Sequence, residues 1–139
     1  MHQRPLHVLW LCSWYPNRQD PFYGDFVQRH ARALARLHPV KVIHLVQNPL
    51  LMLHTPPFTQ VQEEGRLWEL TVGVKPGATG FALADRFIFN QRYISTLKKV
   101  LLDYINEHGM PDLVHLHVPV KMGAGALFLL RKFNVPFVV

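Results

Sequence analysis

Short apolar segments of strand length alternate with amphipathic helical patterns, and this alternation most constrains how the chain can fold. The clearest segments are His7 to Cys12, Val40 to Val46 and Asp112 to His117. Segments this apolar are typical of strands that are covered on both faces. Strands that alternate with helices predict a parallel sheet with right-handed crossovers. We therefore expect an α/β fold built on a Rossmann-like, doubly wound, mostly parallel sheet.

Three helical patterns separate these strands. They run from Gly24 to about Leu37, from Ala84 to Glu107 and from Gly123 to Lys132. Gly109 and Pro111 follow the second pattern in the order that usually ends a helix. In the first helix we expect one apolar stripe to face the core. It comprises Phe26, Val27, Ala31, Leu34 and Leu37.

A β-hairpin is predicted between the second apolar strand and the second helical pattern. Its arms are Val61 to Glu63 and Leu67 to Val74, joined near Gly65. In the second arm apolar residues alternate with small or polar ones, which predicts one face toward the core and one outward. Glu69 is therefore expected on the outward face.

The composition is that of one globular domain covering residues 1–139. Hydrophobic residues make up 49% of the chain, which is enough for a well-filled core. Cys12 is the single cysteine, so no internal disulfide can form, and a cytoplasmic location is favoured. We find no apolar run long enough to span a membrane and no signal peptide. Residues 48–58 contain three prolines and are predicted as a loop.

The net charge of +6 is spread over the chain instead of forming a dense basic segment. Neither zinc-finger spacing nor an aromatic RNA-binding motif is present, so nucleic acid is not a predicted partner. Solvated helix faces explain most of the charge. Peripheral contact with the anionic inner face of a membrane is left open, although no long basic amphipathic helix requires it.

In sheets of this class, ligands bind beyond the carboxyl ends of the parallel strands. One such end leads through the loop 13–23 into the helix that opens at Gly24. A glycine at a helix amino terminus lets an anion approach the free backbone N–H groups. The alternative is that Gly24 only permits a tight turn, with Asp25 as the cap of the helix.

Two histidines lie on one face of the third apolar strand, because side chains two residues apart point the same way. His115 is expected in the core, and His117 at the open end of the strand is a candidate site residue. A zinc site would need a third ligand, and the sequence offers none at suitable spacing, so no metal is predicted.

The other candidates have two interpretations each. Trp14 and Tyr15 either stack on a sugar or base, or pack beside the sheet. Lys121 either pairs with a phosphate or is a solvated lysine. Cys12 has no neighbouring base in the sequence pattern and is expected to pack.

Several of these segments resemble the start of family 4 glycosyltransferases. The similarity lies in Ser13-Trp14-Tyr15-Pro16, in Pro21 to Val27, in Asp112 to Pro119 and in Val135-Pro136. That family has the GT-B fold, in which two Rossmann-like domains face each other across the active site. The resemblance implies that this chain is the amino-terminal, acceptor-side domain, and that the last strand is cut short before the absent donor-binding domain.

The resemblance also implies roles for individual residues. Gly24 would lie near the donor diphosphate or an anionic group of the acceptor, and His117 would face the transferred sugar. Trp14, Tyr15 and Lys121 are expected on the acceptor side. Val118 stands where the family often has glutamate, so no acid–base role is carried over to it.

The expected activity is transfer of a sugar from a nucleotide sugar to a hydroxyl of a carbohydrate or lipid-linked acceptor. The resemblance implies a retaining reaction that requires neither a metal nor another cofactor. The domain alone is expected to be inactive, and the surface left by the missing half is expected to promote self-association. The alternative is a non-catalytic, Rossmann-like nucleotide-binding or regulatory domain.

Overall fold

The structure, a computed structural model, describes residues 4–17, 20–47 and 59–139. These parts form six strands and three helices. In chain order they are β1 (Val8–Cys12), α1 (Asp25–Ala35), β2 (Val40–Gln47), β3 (Thr59–Glu64), β4 (Leu67–Val74), α2 (Ala82–His108), β5 (Leu113–His117), α3 (Gly123–Phe133) and β6 (Phe137–Val138). The predicted loop at 48–58 lies outside the described residues.

All six strands belong to one sheet with the order β3-β4-β2-β1-β5-β6. Every neighbouring pair is parallel except the hairpin pair of β3 and β4. The fold is therefore mixed α/β with a mostly parallel sheet, consistent with a Rossmann-like arrangement, which confirms this part of the prediction. No helix within the described ranges is both long and apolar enough to cross a bilayer.

Alternate residues of β1 contribute to two separate cores. Leu9 and Leu11 pack with buried residues of α2 and α3, whereas Trp10 and Cys12 pack with buried residues of α1. Because both faces of β1 are covered, an almost wholly apolar strand is what this central position requires.

Helix α3 packs closely against its neighbours through Gly125. A Cβ atom at this position would lie 2.9 Å from Leu97 Cδ2 of α2 and 3.3 Å from Leu11 Cδ1 of β1. The glycine is tolerated within a helix because it allows this close approach, which outweighs its low helical propensity.

The predicted apolar stripe of α1 is partly wrong. The buried residues are Val27, Ala31 and Ala35, whereas Phe26 and Leu34 are exposed and Leu37 is 81% exposed. The buried positions follow an i, i+4, i+8 spacing with two small residues. The two alanines let α1 pack close to the sheet. At this short distance the larger side chains of Phe26 and Leu34, which border the stripe, stay at the surface.

The predicted outward position of Glu69 is also wrong, since the residue is only 8% exposed. Strand β4 lies between β3 and β2, and its Glu69 side belongs to the face that α1 covers. The amide of Gln28 on α1 donates to Glu69 Oε2 at 2.9 Å. Alternation in the sequence identified the two faces of β4 correctly, but it could not show that a helix covers the polar one.

Candidate functional site

The loops that follow β1 and β5 are joined at the carboxyl edge of the sheet. The backbone N–H of Ser13 donates to the carbonyl of His117 at 3.1 Å. The N–H groups of Lys121 and Met122 both approach Ser13 Oγ at 3.4 Å. Two segments about a hundred residues apart therefore meet just before α3 begins.

Gly24 occupies the N-cap of α1 in the left-handed region, with φ of 68°. A Cβ atom here would lie 2.7 to 2.9 Å from the backbone carbon, backbone oxygen and Cβ of Trp14. Packing against Trp14 therefore requires glycine, whether or not an anion binds. The carboxylate of Asp25 does not cap the helix; it forms an ion pair with Arg29 at 2.8 Å along the same helix.

Trp14 lies at the surface of this edge and is 41% exposed. Its ring centroid is 5.9 Å from that of Tyr23, which is exposed to the same extent. Phe22 beside them is largely exposed as well. These rings form an accessible aromatic surface next to the start of α1, of the kind that can stack on a flat ligand face.

Tyr15 lies in the interior, although it follows Trp14 directly in the sequence. It is 2% exposed and packs in the core cluster of Trp10 and Cys12. Burial, and then the nearby Glu69 carboxylate, raise the pKa of its phenol. The structure therefore separates the two aromatic candidates: Trp14 faces the open edge and Tyr15 faces the space beneath α1.

His117 ends β5 with its ring on the α1 side of the sheet. The ring centroid lies 4.1 Å from Trp10 and 4.0 Å from His115. Its Nε2 atom is buried without a hydrogen-bond partner among the described residues. Burial lowers the pKa of His117 to about 4, with smaller effects from His115 and His30. The imidazole is therefore neutral at pH 7.

The residue after His117 has a strained backbone. Val118 has φ of 55°, although it is β-branched and precedes Pro119. Both properties disfavour the left-handed region. The carbonyl of Val118 accepts from the Val120 N–H at 2.8 Å, which closes a tight turn around the proline. Backbone strain of this kind costs roughly 1 to 3 kcal/mol and is concentrated at functional sites.

A cavity of about 790 Å³, here called the edge pocket, opens beside this turn. It lies where β2 and β4 end and where α2 and α3 begin. Its lining includes Gln47, Pro76, Gly77, Asp85, Arg86, Phe89, Asn90, Tyr93, Lys121 and Ala124. This size is in the range of pockets that hold small organic ligands.

Lys121 and Arg86 give the edge pocket its charge. Lys121 Nζ lies 4.3 Å from the ring centroid of Phe89 and 5.5 Å from that of Tyr93. Partial burial, followed by repulsion from Arg86, lowers the pKa of Lys121. The opposing carboxylate of Asp85 is engaged by Thr79, whose N–H and hydroxyl both donate at 2.7 Å. The two cations are therefore available to an anionic ligand.

Among the residues predicted from the sequence, His117 ends β5 and Lys121 lies in the loop that follows it. Trp14 and Gly24 contact each other at the start of α1. Sequence reasoning missed Arg86, Asn90 and Tyr93 of the edge pocket. Their i, i+4, i+7 spacing on α2 places them on one face and was an available signal. The spacing alone does not show that this face of α2 lies at the carboxyl edge of the sheet.

Sequence reasoning also missed a row of polar side chains that crosses the sheet beneath α1. The strand register aligns Gln60, Thr71, His44, Cys12 and His117 on neighbouring strands. His44 is almost wholly buried; its Nδ1 lies 2.9 Å from the carbonyl oxygen of Cys12, and its Nε2 has no partner in the described chain. Burial lowers the pKa of His44 to about 4.

Cys12 and the histidine pair do not form a reactive or metal-binding group. Burial raises the pKa of the Cys12 thiol, so the thiol stays protonated and packs in the core. Among residues 4–17, 20–47 and 59–139, no cluster of three or more His, Cys, Asp or Glu side chains is arranged to hold a metal ion.

Comparisons with known proteins do not assign a family. No model of a known protein family matches the chain, and no curated protein matches it significantly. Function is therefore inferred from the residues at the carboxyl edge of the sheet and from the motifs that lead into it.

Proposed function

We propose that this chain is the amino-terminal, acceptor-side domain of a glycosyltransferase similar to family 4. The observation that carries the proposal is the junction of Ser13 with His117, Lys121 and Met122. The two segments that resemble the family, one after β1 and one after β5, meet at this junction.

The strand order supports a doubly wound sheet, as expected for half of a GT-B fold. From β1 the chain proceeds outward to β2 and β4, then returns to the other side of β1 as β5 and β6. In a doubly wound sheet of this order, the topological switch point would lie between β1 and β5, where ligands of such sheets bind. Ser13 and His117 stand at the carboxyl ends of these two strands.

In the proposed reaction, an acceptor hydroxyl oxygen forms a bond to the anomeric carbon of a nucleotide sugar. The bond from that carbon to the nucleoside diphosphate breaks, and the hydroxyl proton passes to the departing diphosphate. The resemblance implies retention at the anomeric carbon. Lys121 and Arg86 would pair with an anionic group of the substrate. This pairing would stabilise the negative charge that develops on the departing diphosphate.

The neutral imidazole of His117 would hydrogen-bond a hydroxyl of the transferred sugar. Its Nε2 is enclosed in this structure, so the strained turn at Val118 would have to shift to open it. Trp14 and Tyr23 would stack on the acceptor. Gly24 would allow the substrate to approach the start of α1, in addition to its packing against Trp14.

The proposal requires a partner domain that binds the nucleotide sugar, so this domain alone would not catalyse sugar transfer. The acceptor would be a carbohydrate or a lipid-linked glycan, in the cytoplasm or at the inner face of its membrane, and no metal or other cofactor would be needed. Val138 and Val139 at the end of the chain are exposed, and self-association through this region remains a prediction.

The test is release of nucleoside diphosphate by the intact protein that carries this domain. A panel of UDP-, GDP- and ADP-sugars is supplied with and without a glycan and glycolipid extract. The proposal predicts release from at least one donor, stimulated by the extract. Binding of a nucleotide without any release would instead identify a non-catalytic nucleotide-binding domain.

A further inference from the structure

A second cavity lies on the α1 side of the hairpin, away from the edge pocket. It has a volume of about 370 Å³ and is here called the α1 cavity. Its walls come from the first loop, α1, β3 and β4. The lining comprises Tyr15, Pro16, Asn17, Pro21, Gln28, Arg32, Gln60, Gln62, Glu69 and Thr71. A cavity of this size is many times larger than the space of one water molecule.

The floor of the α1 cavity holds a buried carboxylate. Glu69 is 8% exposed, and among the described residues no salt bridge to it is formed. One amide, that of Gln28, donates to Oε2 at 2.9 Å. A buried carboxylate normally needs several hydrogen bonds or a paired cation to offset the loss of hydration. Glu69 therefore has capacity to accept further hydrogen bonds from the cavity.

Tyr15 supplies a second polar group with unused capacity. Its hydroxyl is buried beside the Glu69 carboxylate, which helps to raise its pKa, but no group of the described residues meets it with full hydrogen-bond geometry. Buried hydroxyl groups are almost always paired in folded proteins, and a bound water or ligand is one explanation of an exception. Because Tyr15 lines the same cavity as Glu69, one molecule placed there can satisfy both.

The remaining walls favour a neutral ligand rich in hydroxyl groups. Gln60 and Thr71 face each other across β3 and β4, and so do Gln62 and Glu69. Amides and hydroxyls of this kind both donate and accept hydrogen bonds. The carboxylate of Glu69 and the guanidinium of Arg32 balance in charge, and the carboxylate would repel a phosphate. The polar lining excludes an apolar ligand as the preferred occupant.

We propose that the α1 cavity binds a neutral polyhydroxylated molecule, such as a single sugar unit, through Glu69, Gln28 and Tyr15. This assignment does not rest on the proposed transferase activity, because it depends on neither the edge pocket nor the switch point. Glu69 accepts two hydroxyl hydrogens of the ligand, and the Tyr15 hydroxyl donates to a third oxygen.

The test is titration of the ¹⁵N-labelled chain with free glucose, galactose, mannose and myo-inositol, followed by amide NMR spectra. At least one of these probes is expected to shift the amides of Gln28, Gln60 and Glu69 in a saturable way, with a dissociation constant in the millimolar range. Glu69→Gln is expected to weaken that binding about tenfold, since it removes a charged acceptor. Glu64→Gln, an exposed carboxylate of the same hairpin, is the control and should bind as the unaltered chain does.

A second variant keeps the test valid if Glu69→Gln does not fold. Gln62 is exposed, so Gln62→Ala should keep the fold and still weaken binding several-fold. The proposal is overturned if no probe gives saturable shifts, which would identify a water-filled cavity. It is equally overturned if inorganic phosphate or uridine binds in preference to all four polyols, or if the shifts lie outside the α1 cavity.

Discussion

The Ser13 amide and the His117 carbonyl, 3.1 Å apart, join the ends of β1 and β5 at the carboxyl edge of the sheet. This bond is not part of the regular strand ladder, which ends with the pair Cys12 and His117. It extends the pairing one residue further and fixes where each loop departs. The side chain of Ser13 then reaches the start of α3, so one residue positions three segments of the candidate site.

Ser13→Ala is expected to loosen the start of α3 with little global loss. The lost acceptor for the Lys121 and Met122 amides should cost about 0.5 to 1 kcal/mol. Hydrogen exchange of these two amides should become faster, while that of β1 stays unchanged. Ser95→Ala, at an exposed position of α2, serves as the control. Unchanged exchange at Lys121 and Met122 would show that the serine hydroxyl does not hold this junction.

Gly24→Ala and Gly65→Ala form a matched pair, because both glycines have a positive φ. No atom lies within 4 Å of a Cβ built at Gly65, whereas at Gly24 the Trp14 backbone does. Gly65→Ala should lower the free energy of unfolding by about 1 kcal/mol through backbone strain alone. Gly24→Ala should lower it by about 2 to 4 kcal/mol, since overpacking adds to the strain. Equal losses in urea denaturation would contradict the described contact between Gly24 and Trp14.

The regular elements were predictable because they depend on local patterns. The apolar strand β1 and the glycine–proline end of α2 were correctly identified, and α2 begins two residues earlier than predicted. Asp85 explains the earlier start: it binds Thr79 across the first turn and draws the preceding loop onto the helix.

The site was less predictable because it depends on which elements cover each other. Glu69 looked like a solvent-facing residue of an alternating strand, and only the position of α1 above it makes it buried. Tyr15 and Trp14 are adjacent in the sequence and end in opposite environments. Arg86 joins Lys121 only through the approach of α2 to the loop after β5.

The buried His44 should make the fold sensitive to mild acid. Its pKa is about 4 in the folded chain and 6.5 in the unfolded chain. Well above pH 6.5 His44 is neutral in both the folded and the unfolded state, so its protonation does not lower the free energy of unfolding. Between pH 6.5 and 4, His44 is protonated in the unfolded chain but stays neutral in the folded chain. The free energy of unfolding therefore falls as the pH falls.

Urea denaturation at pH 7 and pH 5 measures this dependence. His44→Gln should show a smaller drop in midpoint between the two pH values than the unaltered chain. His38→Gln, in the turn after α1, should keep the drop of the unaltered chain. If the His44 variant keeps the whole drop, the acid sensitivity has another origin.

Val118→Gly should stabilise the fold. Glycine adopts the left-handed region without the strain that valine carries there, so the free energy of unfolding should rise by about 1 kcal/mol. Val120→Gly, at an exposed neighbour without a positive φ, should give no such gain. A loss of stability in Val118→Gly, measured by thermal denaturation, would mean that the turn is not strained.

The central claim is that the carboxyl edge at the switch point is one wall of a glycosyltransferase active site. The most direct measurement is the rate of sugar transfer by the intact protein carrying His117→Ala or Lys121→Ala. Each variant should lose at least about tenfold in rate, as expected when one substrate contact of about 1.4 kcal/mol is removed, at a temperature where its melting curve shows it to be folded. Lys99→Ala, at an exposed position of α2, should transfer sugar at the original rate. Full activity in both edge variants would contradict the claim.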